Sequence, residues 1–94
     1  MFVMMADIQL KEDAEDDFKT LFSESNKILS SFPGFVSRRF LKSNDGSYRI
    51  IVEHETKETF MTMIQSPEHQ EFHPKLHSFM RVEPVKKIFT VAAE

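Results

Sequence analysis

The spacing of apolar residues changes several times along this chain of 94 residues, and the order of those changes limits the fold more than any other feature. Residues 2–10 alternate between two kinds of position, which is typical of a β-strand. Residues 13–32 carry apolar side chains at helical spacing. Asp13 is placed to cap this helix, and the sequence FPGF ends it.

The second half of the chain repeats both patterns. Phe35–Lys42 and Ser47–Glu55 alternate again, and the sequence NDGS between them favours a hairpin turn. Helical spacing returns at Thr56 and restarts at Ser66, a capping residue followed by a proline suited to the first helical position. These segments predict a hairpin followed by a second helical region.

A last alternating segment, Val85–Ala92, completes the order β-α-β-β-α-β. This order predicts one α+β, ferredoxin-like domain over residues 1–94, with an antiparallel four-stranded sheet and two helices on one face. An apolar sheet face without helices is normally covered, most simply by a second copy, so we expect a homodimer. The open face should carry some of Val3, Met5, Val36, Phe40, Ile51 and Ile88.

Composition excludes several classes of function. The net charge is −3, and no basic run is long enough to follow a phosphate backbone, so nucleic acid is not an expected partner. The absence of cysteine excludes thiol catalysis and thiolate metal sites. The first ten residues lack the basic start and long apolar run of a leader or membrane span. We therefore expect a cytoplasmic protein without membrane contact.

Four segments resemble the antibiotic biosynthesis monooxygenase family of dimeric α+β barrels. They are the opening strand with LKEDAEDDF, the run FPGFVSRRFLKSNDGSYRIIVEHET, the run FMTMIQSPEHQEFH, and the closing strand after Pro84. The resemblance implies that two sheets pair face to face and that each protomer holds a pocket between sheet and helices. The family includes cofactor-free oxygenases of polyketide-like aromatic substrates, small isomerases and haem-degrading enzymes.

The haem-degrading branch of that family builds its site from an Asn, a Trp and a His. The corresponding positions here hold Ala6, Met63 and His73, so the resemblance retains one of the three functional residues. Standard haem degradation is therefore not expected, whereas haem binding through His73 stays open. Arg39 and Met63 are the other predicted haem contacts.

The histidines can also be judged from their spacing. His69, His73 and His77 fall along one edge of the helix's apolar face. A metal site is the weaker interpretation, because a catalytic zinc needs about three protein ligands and Pro74 would rotate His77 out of line. We expect His77 to face solvent. His73 is the predicted base or iron ligand, since an imidazole near neutrality takes up and returns a proton.

Arg38 and Arg39 are adjacent on a strand, so only one of them can face the pocket. Arg39 is assigned to an anionic substrate or a haem propionate, with an ion pair to Glu53 or Glu55 as the alternative. Substrate contacts are predicted for seven residues: Ala6, His54, Phe60, Met63, His69, Phe72 and Leu76.

These observations favour a small monooxygenase that binds a flat hydrophobic substrate, or haem, between the sheet and the second helical region. It would need no cofactor, or would use haem. A non-catalytic protein that binds haem or another hydrophobic ligand is the alternative, and a domain that only assembles is a third interpretation.

Overall fold

The computed structural model describes residues 1–94 and contains four strands and three helices. In chain order they are β1 (Phe2–Ile8), α1 (Glu15–Leu29), β2 (Phe35–Lys42), β3 (Tyr48–His54), α2 (Lys57–Ile64), α3 (Pro67–Ser78) and β4 (Val85–Thr90). This order confirms the ferredoxin-like prediction, with the second helical region divided into α2 and α3. No helix is both long and apolar enough to cross a membrane.

The strands form one antiparallel sheet in the order β2-β3-β1-β4, so β2 and β4 are its edges. Residues that lie opposite one another across the strands share a face of the sheet. One such row contains Phe40, Ile50, Ala6 and Lys86. This row belongs to the helix-facing side, and the other side of the sheet, without helices, is called the open face below.

The core lies between the helix-facing side of the sheet and the three helices. Aromatic rings dominate it: Phe18 and Phe22 of α1 pack against Phe40, with ring centroids 4.8 and 6.0 Å away. Phe2 of β1 packs on Phe60 of α2 at 4.9 Å. Burying a phenylalanine contributes about 1.5–3 kcal/mol, so this cluster contributes strongly to the stability of a short chain.

The first helix differs from its predicted bounds at both ends. Ala14, not Asp13, is the residue before the first turn, and no side chain caps it. Asp13 instead takes a left-handed conformation (φ 60°) as the chain turns from β1 into α1. Three acidic residues in the first turn interact favourably with the helix dipole. The helix ends at Leu29, because the next amides bond three residues back, from Ser31 to Ile28 and from Phe32 to Leu29.

Two of the residues expected on the open face lie on the other side. A bulge between Phe35 and Ser37 adds one residue to β2, which reverses the alternation and turns Phe40 toward α1. Ile88 lies opposite Met4 of β1 and therefore faces the helix side as well. The open face carries Val3, Met5 and Ile51 as predicted, together with Phe89.

Candidate functional site

A cavity of about 380 Å³ lies between the helix-facing side of the sheet and helices α2 and α3. Small-molecule sites usually enclose about 300–1,000 Å³, so this one suits a ligand of modest size. Thirteen of its twenty lining residues are hydrophobic, so most of a ligand's surface would meet apolar groups. The sheet contributes Met4, Ala6, Ile8, Ile50, Val52 and Ile88, and the facing helices contribute Met61, Met63, Ile64, Phe72 and Leu76.

The break between α2 and α3 shapes this wall. Thr56 and Thr59 form a reciprocal capping box at the start of α2. At the start of α3, Ser66 accepts a hydrogen bond from the amide of His69 at 3.2 Å and donates to the carbonyl of Met63 at 2.6 Å. One serine therefore joins the last turn of α2 to the first turn of α3, and both helices present side chains to the same cavity.

The three histidines of α3 form a stack along the cavity wall. The ring centroids of His69 and His73 are 5.5 Å apart, and those of His73 and His77 are 4.0 Å apart. Pro74 lies inside the continuous helix and does not rotate His77 away. The prediction that His77 faces solvent is therefore wrong: it is half-buried and lines the cavity.

Neighbouring rings in the stack are tilted by 35° and 37° to one another. No group of three His, Asp or Glu side chains is arranged to hold a metal ion. Burial is the main cause that lowers the pKa of His69, to about 4, and the charge of Arg38 is the second. Burial also lowers the pKa of His73 from its ordinary value, followed by the effect of His77. Both rings are therefore mostly neutral at pH 7, and a neutral His73 can accept a proton.

Arg38 is the arginine that faces the cavity. It is 7% exposed, its Nη1 donates to Ser25 Oγ and to Asn26 Oδ1 at 2.7 Å each, and its guanidinium lies 4.1 Å from the ring centre of Phe22. No carboxylate lies within ion-pair distance of it. Burial lowers its pKa to about 10, so the side chain stays charged at neutral pH.

Arg39, the predicted ligand contact, points to the open face instead. Its side chain is 60% exposed, and Nη2 lies 3.3 Å from Glu53 Oε1, the ion pair that was its alternative. The bulge in β2 explains why Arg38 faces the cavity in place of Arg39, because it sets which of these two adjacent residues faces the helices.

His54 is the second predicted contact that does not line the cavity. It is fully buried, with Nδ1 3.1 Å from Thr59 Oγ1 and Nε2 3.3 Å from Met63 Sδ. Its ring also meets the rings of Phe35 and Phe60 edge-on. Burial lowers its pKa, and its contacts make it a packing residue behind Met63.

The structure brings the other seven predicted residues together on the cavity wall: Ala6, Phe60, Met63, His69, Phe72, His73 and Leu76. What each does there is still a prediction. The polar lining residues that the sequence did not assign to the pocket are Arg38, Gln70, His77 and Lys86. If the bulge in β2 had been known, the alternation of side chains along that strand would have placed Arg38 on the helix-facing side. Lys86 shares a strand face with Ile88, two residues further on, and was missed because Ile88 was assigned to the open face.

The sequence profile of the antibiotic biosynthesis monooxygenase family matches residues 1–75. The chain belongs to this family. The match covers β1 through most of α3, and so includes His73. No protein of curated function matches the chain significantly.

Solved structures similar to this chain share the family's fold. SnoaB from Streptomyces nogalater, a cofactor-independent oxygenase solved as a point mutant, superposes with a TM-score of 0.87 at 18% identity, over 99% of this chain and 94% of that one. A conserved protein from Methanosarcina mazei Go1 superposes with a TM-score of 0.87 at 16% identity, over 94% of this chain and 89% of that one. Rv0793 from Mycobacterium tuberculosis superposes with a TM-score of 0.86 at 13% identity, over 99% of this chain and 96% of that one. At these identities the similarity establishes the fold alone.

Proposed function

We propose that this protein is a cofactor-independent monooxygenase that oxidises a flat, hydrophobic, readily deprotonated substrate in the cavity beneath α2 and α3. The observation that carries the proposal is the mostly neutral His73 on the wall of an otherwise apolar cavity. Membership of the family and the likeness to SnoaB, a cofactor-independent oxygenase, support it.

In the proposed reaction His73 removes a proton from an activated methylene group of the substrate. The resulting carbanion, delocalised over the flat ring system, gives electrons to O₂ and forms a carbon–oxygen bond. Protonated His73 returns the proton to the peroxide, and the hydroperoxide then loses water to leave a carbonyl. One oxygen atom enters the product and the other leaves as water, so the substrate supplies every electron.

The apolar walls account for most of the remaining catalysis. They hold the ring system in one orientation beside His73 and exclude water from the carbanion. Met61 and Met63 suit this task, because methionine side chains adapt to the outline of a bulky ligand.

A non-catalytic protein that binds haem or another hydrophobic ligand is the second candidate, and His73 again favours it, since a histidine can ligate haem iron. The residues fit haem only in part. The ring of His73 stacks on His77 at 4.0 Å, and the family's Asn and Trp positions hold the buried Ala6 and Met63. The oxygenase proposal therefore uses no haem.

We further propose that the protein is a homodimer whose sheets meet through their open faces. Val3, Met5, Ile51 and Phe89 give this face an apolar strip that no helix covers. Pairing two such faces would remove the apolar strips of both copies from water.

The oxygenase proposal is tested with anthrone, a flat tricycle with an acidic methylene group, by following oxygen uptake and anthraquinone formation. His73→Ala should lower kcat/KM about 100-fold, the usual contribution of a general base. Since the pKa of His73 lies below its ordinary value of 6.5, wild-type activity should rise with pH below about 6.5 and stay level above it.

His77→Ala is the comparison variant, because it removes the neighbouring ring and leaves the base itself. It should keep most of the activity, with the rise of the pH profile moved toward 6.5, since the effect of His77 on the pKa of His73 is lost. Equal rates for wild type and His73→Ala would exclude the assigned base. Absence of turnover with anthrone and related acidic tricycles, combined with a haemin Soret band that His73→Ala abolishes, would favour the binding protein instead.

A further inference from the structure

We infer that the ligand of this cavity is a hydrophobic anion, whose negatively charged oxygen group is held by the guanidinium of Arg38. The inference rests on the proposed function, because it concerns the same cavity, and it adds the chemical class of the substrate. A flat aromatic or polycyclic molecule bearing a carboxylate or similar oxyanion fits the description.

The first argument is that the charge of Arg38 has no counterion in the protein. Buried charges are normally paired, because removing an ion from water is costly. Arg38 makes only two side-chain hydrogen bonds, both from Nη1 and both to neutral oxygens, those of Ser25 and Asn26. Nε and Nη2 donate to no protein group, which leaves a guanidinium edge of the geometry that grips a carboxylate bidentately.

The hydrogen bonds of Arg38 do not account for its charge, and the contact of its guanidinium with the ring of Phe22 stabilises the cation without neutralising it. The side-chain Nδ2 of Asn26 also donates to the backbone carbonyl of Arg38 at 2.6 Å, so the hydrogen bonds between these two residues connect β2 to α1. A neutral, hydrogen-bonding side chain could make the same link without the cost of a buried ion. An anion in the cavity would supply the missing counterion.

The second argument is that the charged residues lining the cavity are all positive. Among the twenty residues around the cavity are two cations, Arg38 and Lys86, and no Asp or Glu. The chain as a whole is acidic, with a net charge of −3, so this lining runs against the overall composition. A cavity bordered by charges of one sign concentrates ligands of the opposite sign.

The two cations come from opposite edges of the sheet and act on the same place. Arg38 lies on β2 and Lys86 on β4, yet both charges lower the pKa of His69. His69 therefore marks the region of positive potential. His69 lines the cavity, and its buried Nδ1 makes no hydrogen bond to the protein.

A matched pair of fluorescent probes tests the inference. 8-Anilinonaphthalene-1-sulfonate and N-phenyl-1-naphthylamine share one ring skeleton, and only the first carries an anionic group. Each should displace the other from the wild-type protein. In Arg38→Met, the Kd of the sulfonate should rise at least tenfold relative to that of the neutral probe, since a hydrogen bond to a charged group is lost.

Arg39→Met is the control, because it removes the adjacent arginine from the opposite face of the sheet and should leave the ratio of the two Kd values unchanged. Arg38→Gln, which can retain hydrogen bonds to Ser25 and Asn26, gives the same comparison if the methionine variant does not fold. Thermal unfolding of each variant checks that the fold is intact.

An unchanged Kd ratio in the Arg38 variants, or equal weakening of both probes, would overturn the inference, since the arginine would then only support the cavity wall. Binding of the neutral probe alone to the wild type would also overturn it, while leaving the proposed function in place. Failure of both probes to bind the wild type would reject the hydrophobic cavity as a binding site, and the anion with it.

Discussion

Gly34 shows how one residue fixes the position of α2 against the sheet. Its backbone takes φ +81°, and a Cβ atom there would lie 2.4–2.6 Å from side-chain atoms of Thr59. Gly46, in the β2–β3 hairpin, has φ +86° and nothing within 4 Å of the same position. We expect Gly46→Ala to cost about 1–2 kcal/mol for the left-handed backbone. Gly34→Ala should cost about 1–3 kcal/mol more, the typical penalty of overpacking.

Urea unfolding of both glycine variants measures the difference directly. Because the two substitutions change the unfolded chain in the same way, Gly46→Ala is the internal control. Similar free energies of unfolding for the two variants would show that α2 yields to the added methyl group. The close approach would then not hold the helix in place.

Individual site residues were predictable where their face could be read from local spacing. His69, His73, Phe72 and Leu76 lie on the cavity because they share one side of a single helix. The arginine facing the cavity was assigned incorrectly, because one bulge, set by hydrogen bonding to β3, decides between Arg38 and its neighbour. Spacing within β2 does not contain that information.

At the scale of elements, Ser66 is the residue on which the entry of α3 depends. It is buried, and its hydroxyl accepts a hydrogen bond from the backbone amide of His69 and donates one to the carbonyl of Met63. We expect Ser66→Ala to lower the free energy of unfolding by about 1–2 kcal/mol, because a helix cap and a bond to α2 are lost together. Denaturant unfolding followed by circular dichroism measures this change.

Ser78→Ala is the matched control at the other end of the same helix. Its hydroxyl donates to the carbonyl of Lys75 but is exposed, so the expected change is below about 0.5 kcal/mol. Equal effects of the two substitutions would mean that the cap does not anchor α3.

The start of α3 was predictable because Ser66 and Pro67 are local signals of a helix N-terminus. Its continuation through Pro74 was not, because packing against α1 and α2 outweighs the preference of proline to kink a helix. The same tertiary support keeps His77 in the stack. The cap assigned to Asp13 was wrong for a related reason: the turn out of β1 takes Asp13 into a left-handed conformation.

At the scale of the molecule, the element order was sufficient to predict the fold. Two helical regions between four alternating segments leave few ways to cover one sheet face, and the observed strand order is the ferredoxin-like one. The cavity itself was implied only through the family resemblance. Its volume and its acid-free lining depend on how side chains from separate strands and helices meet, which spacing within each element does not determine.

The uncovered sheet face gives the prediction that concerns the whole molecule. Ile51 lies in a cross-strand row with Arg39, Met5 and Lys87, on the open face and on a central strand. If two copies meet there, sedimentation should give twice the 11.0 kDa mass of one chain, and Ile51→Glu should give the monomer mass. The reason is that a carboxylate from each copy would have to lose its hydration in the interface, at a cost that an ion pair with the neighbouring Arg39 does not recover.

Ile28→Glu provides the comparison, because Ile28 is 43% exposed on α1, which packs on the opposite side of the sheet. It introduces the same charge without touching the open face and should keep the dimer mass. A monomeric wild type, or dissociation of both variants alike, would reject pairing through the open face. If the Ile51 variant is monomeric and still binds N-phenyl-1-naphthylamine, the cavity is complete within one chain, as expected from a lining drawn from the helix-facing side of a single protomer.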